Sequence, residues 1–143
     1  MQSLFNQIYE NSKGIAMNSH HKSARTLEGI DPDRLEQLKE LGDDVLLRRI
    51  YGQYLKDGAA HIDGIRMAID LNDATALRIH SHTLKGSSAN VGVNEVAQLA
   101  SQIQQKAEEE NVQLVREMLP RLNRAFLQAR TTIHVALFRN ENL

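Results

Sequence analysis

The chain has 143 residues, the size of one domain with one core. Its 17 Lys and Arg against 18 Asp and Glu leave a net charge of −1, which argues against general nucleic-acid or anionic-membrane binding, and the lack of cysteine excludes disulfides and thiol chemistry. The N-terminus has no basic start or apolar run typical of a signal peptide, and no stretch approaches the about 18 apolar residues of a membrane span. We therefore expect a cytoplasmic protein with no nucleic-acid or membrane partner.

The residue types favour helices throughout the chain. Only two prolines occur, Pro32 and Pro120, and aromatic residues are few compared with Leu, Ala, Gln, Glu, Arg and Lys. Such a mixture is typical of helices rather than strands, because prolines interrupt helices and strands prefer β-branched and aromatic residues. We therefore read the chain by the 3.6-residue period of a helix.

Residues 1–30 differ from the rest of the chain. A short apolar stripe at helical spacing consists of Leu4, Phe5, Ile8 and Tyr9. It predicts a short helix, and the polar stretch after it predicts a linker. His20 and His21 are adjacent, and adjacent histidines also occur in metal-binding tracts. Because these two lie in a polar segment, we interpret them as solvated and assign them no site. The helical domain is predicted over 31–143.

Five amphipathic segments follow in that domain. Apolar residues recur at steps of three or four, and acidic residues, glycine or asparagine mark their ends. The segments are 31–42, 43–72, 73–92, 94–111 and 112–137. The last passes through Pro120 in one register, which predicts a kinked single helix rather than two helices. Because the connections are short, we predict an all-α fold: an antiparallel up-down-up-down four-helix bundle with one or two short N-terminal helices.

The third segment, 73–92, carries the candidate site. At 100° per residue, His82 lies opposite the inward positions and is predicted to face solvent. The residues predicted to share its face include Arg78, Lys85, Gly86 and Ala89. A solvent-facing histidine with a lysine one turn later is also common on an ordinary polar helix, so the pattern alone does not establish a function.

Two further observations favour a site on this face. Gly86 costs a helix about 1 kcal/mol relative to alanine, and the apolar periodicity does not require a glycine there. Residues 74–94 contain no Asp or Glu in a chain that has 18 of them. Together these features indicate a surface that another molecule approaches closely and that suits an anion or an acidic pocket on a partner.

Segment 82–92, with the sequence HTLKGSSANVG, resembles the signature of histidine-containing phosphotransfer domains. A looser resemblance in the order of helices extends over about 31–138. It implies that His82 accepts a phosphoryl group from a receiver aspartate and passes it to another. It also implies that Lys85 stabilises the phosphohistidine, that Gly86 leaves room for the receiver, and that Gln104 holds the proton on Nδ1 of His82 so that Nε2 attacks.

The resemblance also implies the partners of the chain. These are the receiver domains of a hybrid histidine kinase and of a response regulator, which would supply Mg²⁺ to a monomeric phosphocarrier with no cofactor or metal of its own. His80 is predicted at the core boundary, on a different helix face from His82, so the two do not form a metal site. His61 and His134 are interpreted as isolated structural or surface residues.

Two other functions stay open from the sequence. The chain could be a non-catalytic helical module that binds a receiver domain, or the phosphotransfer segment of a larger hybrid or chemotaxis histidine kinase. Autonomous ATP-dependent kinase activity is not expected, because the glycine-rich motifs of an ATP-binding domain are missing: Gly92 is the last glycine.

Overall fold

The computed structural model of the chain describes residues 28–138, and every regular element in that range is an α-helix. The helices are α1 (Pro32–Lys39), α2 (Asp44–Asp70), α3 (Ala74–Asn90), α4 (Asn94–Glu108) and α5 (Val112–Leu137). Helices α2 to α5 form a closed ring, because α3 and α5 each pack against both α2 and α4. The prediction of an all-α helical bundle is confirmed. Among the described residues, no helix has both the length and the apolar character needed to cross a membrane.

Polar side chains start four of these five helices. The caps of α1, α2, α3 and α5 are Asp31, Asp43, Asp73 and Asn111. Each accepts a hydrogen bond from a backbone amide in the first turn, which contributes about 1 kcal/mol per helix. The acidic starts read from the sequence for the first three of these helices therefore mark real helix boundaries.

The turns between the long helices share one backbone geometry. A residue with positive φ follows each helix: Asn72 (54°), Gly92 (78°) and Glu110 (58°). The next amide then donates to a carbonyl in the last turn, as Val93 N does to Ser88 O at 2.9 Å. This arrangement satisfies carbonyls that the helix end would leave unpaired and reverses the chain within three residues.

Polar contacts show that α2 and α3 run antiparallel. Tyr51 Oη donates to Val91 O at 2.9 Å, and Tyr54 Oη lies 2.8 Å from Ser88 Oγ. Nearer the α2–α3 turn, His61 and His80 face each other. Residue numbers rise along α2 while those of the paired residues on α3 fall, as expected for antiparallel helices. These contacts hold α3 to α2 at several levels along its length.

The inner face of α3 is small and partly polar, as its sequence indicates. Its buried residues are Leu77, Ser81, Leu84 and Ser88. Ser81 Oγ donates to Leu77 O at 2.6 Å, so its hydroxyl is satisfied within the helix. On α2, Tyr51 is fully buried in the core, and its neighbour Ile50 is half-buried and packs against the core.

The remaining predictions about the helices have different outcomes. Helix α5 is continuous through Pro120, which confirms one helix rather than two, while the kink stays a prediction. Helix α1 ends at Lys39 instead of Gly42, and Leu41 beyond it is 68% exposed. The helix predicted near the N-terminus and the pair at 20–21 lie outside the described residues.

Candidate functional site

The outer face of α3 presents His82 to solvent. His82, Arg78, Gly86 and Ala89 are exposed, and Lys85 is half-buried. A Cβ atom built at Gly86 would meet nothing within 4 Å, so no neighbouring helix requires this glycine. The structure therefore places these five residues on the open side of α3, as the helical period predicted.

The functional groups on this face are free of internal partners. Neither the His82 ring nor the Lys85 ammonium makes a hydrogen bond or an ion pair with another residue of the 28–138 range. An imidazole in this state keeps its nitrogen lone pair available, and imidazole is an effective nucleophile near neutral pH. The neighbouring ammonium can neutralise part of the charge on a phosphoryl group.

Gln104 lies on α4, the helix packed beside α3, and is half-buried. Its Oε1 atom is fully buried and has no hydrogen-bond partner in the described part of the chain. No hydrogen bond joins it to His82, so its predicted contact with that ring is not formed here. A buried acceptor without a donor typically costs about 1–3 kcal/mol, and the fold offers no reason for this one.

A shallow hollow of about 400 Å³ lies toward the start of α3. Its α3 lining includes Thr75 and Arg78, and α4 and the turn after it contribute Glu108 and Glu110. The run of residues without carboxylates therefore does not produce a surface without carboxylates. The acid-free window 74–94 covers α3 and the start of α4 only. Glu108 and Glu110 lie later in the chain, and the fold places them in the same hollow as Arg78.

The C-terminal end of α3 is firmly attached to the rest of the domain. Arg34 Nε donates to Asn90 O at 2.7 Å, and the backbone amide of Asp31 donates to Gly92 O at 2.7 Å. Tyr51 supplies a donor to the intervening carbonyl, that of Val91. Helix α1 and the start of α2 thus satisfy the last carbonyls of the helix that carries His82, which holds the helix in place.

Sequence reasoning missed two features near this site. Ile79 is 52% exposed and lies one turn before His82 on the same face, a position that the same helical period assigns. His61 was wrongly treated as isolated: its Nδ1 lies 3.1 Å from Nδ1 of His80, and the two ring centroids are 5.4 Å apart. Positions 61 and 80 are at similar distances from the α2–α3 turn, which is the signal that predicts this pairing.

The histidine pair is half-buried, which agrees with the boundary position predicted for His80. Burial lowers the pKa of His61, and the neighbouring His80 lowers it further, while the charge of Asp57 acts in the opposite direction. His134 also has a ring neighbour, since its centroid lies 5.7 Å from that of Phe138.

Known proteins resemble this chain in both sequence and fold. Residues 49–131, more than half of the chain, match the family model of the Hpt domain. The fold is similar to the crystal structure of histidine-containing phosphotransfer protein B (HptB) from Pseudomonas aeruginosa PAO1, with a TM-score of 0.75 and 21% sequence identity. That similarity covers 80% of this chain and 98% of the other. No curated protein matches the sequence.

Proposed function

Because the chain belongs to the Hpt domain family, it is a histidine phosphotransfer protein, and we propose that His82 is its phosphoacceptor. The observation that carries the proposal is the exposed imidazole of His82, free of partners within the described residues, with Lys85 and the bare Gly86 beside it. These three residues present a nucleophile, a cation and open space on one rigid helix face.

The proposed transfer is a pair of nucleophilic displacements at phosphorus. Nε2 of His82 attacks the phosphorus of a receiver aspartyl phosphate, the P–O bond to the aspartate breaks, and the aspartate leaves as a carboxylate. In the second step a carboxylate of the next receiver attacks the phosphorus, the P–N bond breaks, and the imidazole is restored. Such transfers depend on positioning and charge neutralisation. Lys85 contributes one positive charge, and Mg²⁺ held by the receiver contributes the rest.

Gln104 is proposed to act as a positioning residue for His82. Attack by Nε2 requires the proton to be on Nδ1, and an amide oxygen near the ring favours that tautomer. The buried Oε1 of Gln104 supports this role, because it has no hydrogen-bond partner among the described residues and is therefore an available acceptor. The partners would be receiver domains of a hybrid histidine kinase and of a response regulator, and we propose that the chain acts as a cytoplasmic monomer.

The test is direct transfer of labelled phosphate. A receiver domain phosphorylated on its aspartate is mixed with the chain, and label that is acid-labile and alkali-stable should appear on the chain. His82→Gln should abolish that label while helicity and melting temperature stay nearly unchanged, because the side chain is exposed. His134→Gln, a control on α5, should accept label normally.

The same experiment separates transfer from binding alone. A non-catalytic interaction module would bind the receiver without acquiring label, whereas the phosphotransfer segment of a larger kinase would acquire it. A separate incubation with ATP alone should give no label, because autonomous kinase activity is not expected. Normal labelling of the His82→Gln variant would refute the assignment of the acceptor.

A further inference from the structure

The two histidines at the α2–α3 interface form a cluster that phosphotransfer at His82 does not use. His61 comes from α2 and His80 from α3, and their Nδ1 atoms lie 3.1 Å apart. Both residues are half-buried, so the pair is packed between the two helices and is partly exposed to solvent. His80 is two residues from His82 but lies on a different face of α3.

A glycine makes the space for this pair. A Cβ atom at Gly64 would lie 2.5 Å from both Cε1 and Nε2 of His80, so any other residue would displace the ring. Gly64 is inside α2, where glycine is unfavourable by about 1 kcal/mol relative to alanine. Position 64 therefore accommodates the His80 ring at a cost to the helix, and the ring is seated against the backbone of α2.

We propose that His61 and His80 bind a divalent late transition-metal ion through their two Nδ1 atoms. With metal–nitrogen bonds of about 2.0–2.1 Å, a separation of 3.1 Å corresponds to a nitrogen–metal–nitrogen angle of about 100°. This lies between the angle of two adjacent ligands in octahedral geometry and that in tetrahedral geometry. Imidazole nitrogen suits Zn²⁺, Ni²⁺ and Cu²⁺, whereas Mg²⁺ prefers oxygen ligands.

The remaining ligands of this ion would be water. Within residues 28–138, no group of three or more His, Cys, Asp or Glu side chains is placed to hold a metal, so this part of the chain contributes two ligands. Metal binding requires both rings to carry their proton on Nε2. One ring therefore changes tautomer when the ion replaces the Nδ1–Nδ1 hydrogen bond, with no net release of a proton. The bound ion would cross-link α2 to the helix that carries His82.

The site is tested by calorimetric titration of the full chain with Zn²⁺ and with Ni²⁺. All measurements use a background in which His20 and His21 are replaced by Gln, so that the polar N-terminal segment does not contribute. We expect one site per chain, a rise in melting temperature with each of these ions, and no binding of Mg²⁺ to the pair. Since loss of an outer partner alone reduces metal affinity by about 10–100-fold, His61→Gln or His80→Gln should each weaken binding at least about tenfold.

The glycine provides a test that changes no ligand. Gly64→Ala should displace the His80 ring and weaken Zn²⁺ binding at least about tenfold. The matched control Gly52→Ala, also in α2, places its new Cβ at an ordinary 3.7 Å from Phe138 Cζ and should bind Zn²⁺ normally. His82→Gln should also bind Zn²⁺ normally, so this site and the phosphoacceptor are tested separately. Absence of a saturable site, or affinity unchanged in both His61→Gln and His80→Gln, would overturn the proposal.

Discussion

Replacing Gly86 by Gln should raise the stability of the domain and lower its phosphotransfer rate. The new Cβ meets nothing within 4 Å among the described residues, so the start of the side chain has open space around it. Exchanging glycine for a good helix former in the interior of α3 contributes up to about 1 kcal/mol. For a domain of this size, that gain corresponds to a melting temperature higher by about 3–5 °C.

The effect on transfer comes from the position of the new side chain. Residues four apart on a helix have Cβ atoms about 5–6 Å from each other, so the Gln side chain would stand beside the His82 ring. A receiver that approaches His82 would then meet it, and we expect transfer to slow at least about tenfold, equivalent to about 1.4 kcal/mol. Gly86→Ala should stabilise the fold similarly and slow transfer less, because its side chain is smaller.

Thermal melts and single-turnover transfer from a phosphorylated receiver decide the outcome. The matched control is Gly52→Ala, which should also raise the melting temperature because its Cβ makes only an ordinary contact, but should leave transfer unchanged. Gly58→Ala should behave in the opposite way to both, since its Cβ would lie 2.7 Å from Phe126 Cε1 and destabilise the core. If Gly86→Gln lowered stability in proportion to its loss of activity, or transferred phosphate at the normal rate, the reasoning from open space at this position would be refuted.

Three other substitutions test the site and its support. Lys85→Ala should slow phosphate acceptance or speed hydrolysis of the phosphohistidine, because a charge-assisted contact worth about 1.5–3 kcal/mol is lost; rates equal to those of a Lys56→Ala control would show that the ammonium has no role. Gln104→Leu should slow transfer while stability holds or rises, because it removes a buried oxygen that has no partner in the described residues; a normal transfer rate would remove Gln104 from the site. Tyr54→Phe should lower the free energy of unfolding by about 1–2 kcal/mol at pH 7, measured by urea denaturation, since it breaks the buried contact with Ser88. Burial raises the pKa of Tyr54 to about 12 from 10.0, although its hydrogen bond with Ser88 acts in the opposite direction. The contribution of the phenol to the free energy of unfolding is therefore complete below pH 10 and is lost as pH rises toward 12. Between these pH values Tyr54→Phe should lose less stability than the unsubstituted chain, and equal losses of stability would contradict the assignment.

The helices were predictable because their signals are local. Acidic caps such as Asp43 and Asp73, a glycine with positive φ at Gly92, and apolar residues at steps of three and four each act within one or two turns. The exposed face around His82 follows from the same period. Its chemical role came from the resemblance of segment 82–92 to a known family, because exposure and a nearby lysine are common on helices.

The features that sequence reasoning missed depend on contacts between helices. Tyr51 Oη donates to Val91 O on α3, and the sequence of α2 alone does not specify this contact. The pairing of His61 with His80 likewise requires the register of α2 against α3. The acidic side chains that share a hollow with Arg78 belong to α4 and the turn after it, so a count along α3 does not include them.

If His82 is the phosphoacceptor, as proposed, the open face around it sets the order of events in the relay. One imidazole on one helix cannot be reached from two sides, because Ser81 and Leu84 on the opposite side of α3 are buried in the bundle. The proposed donor and acceptor receivers would therefore occupy the same surface in turn, and the donor would have to dissociate before the acceptor binds. An excess of donor receiver that has already lost its phosphoryl group would then block that surface. The rate of the relay would depend on the ratio of the two receivers as well as on their individual affinities.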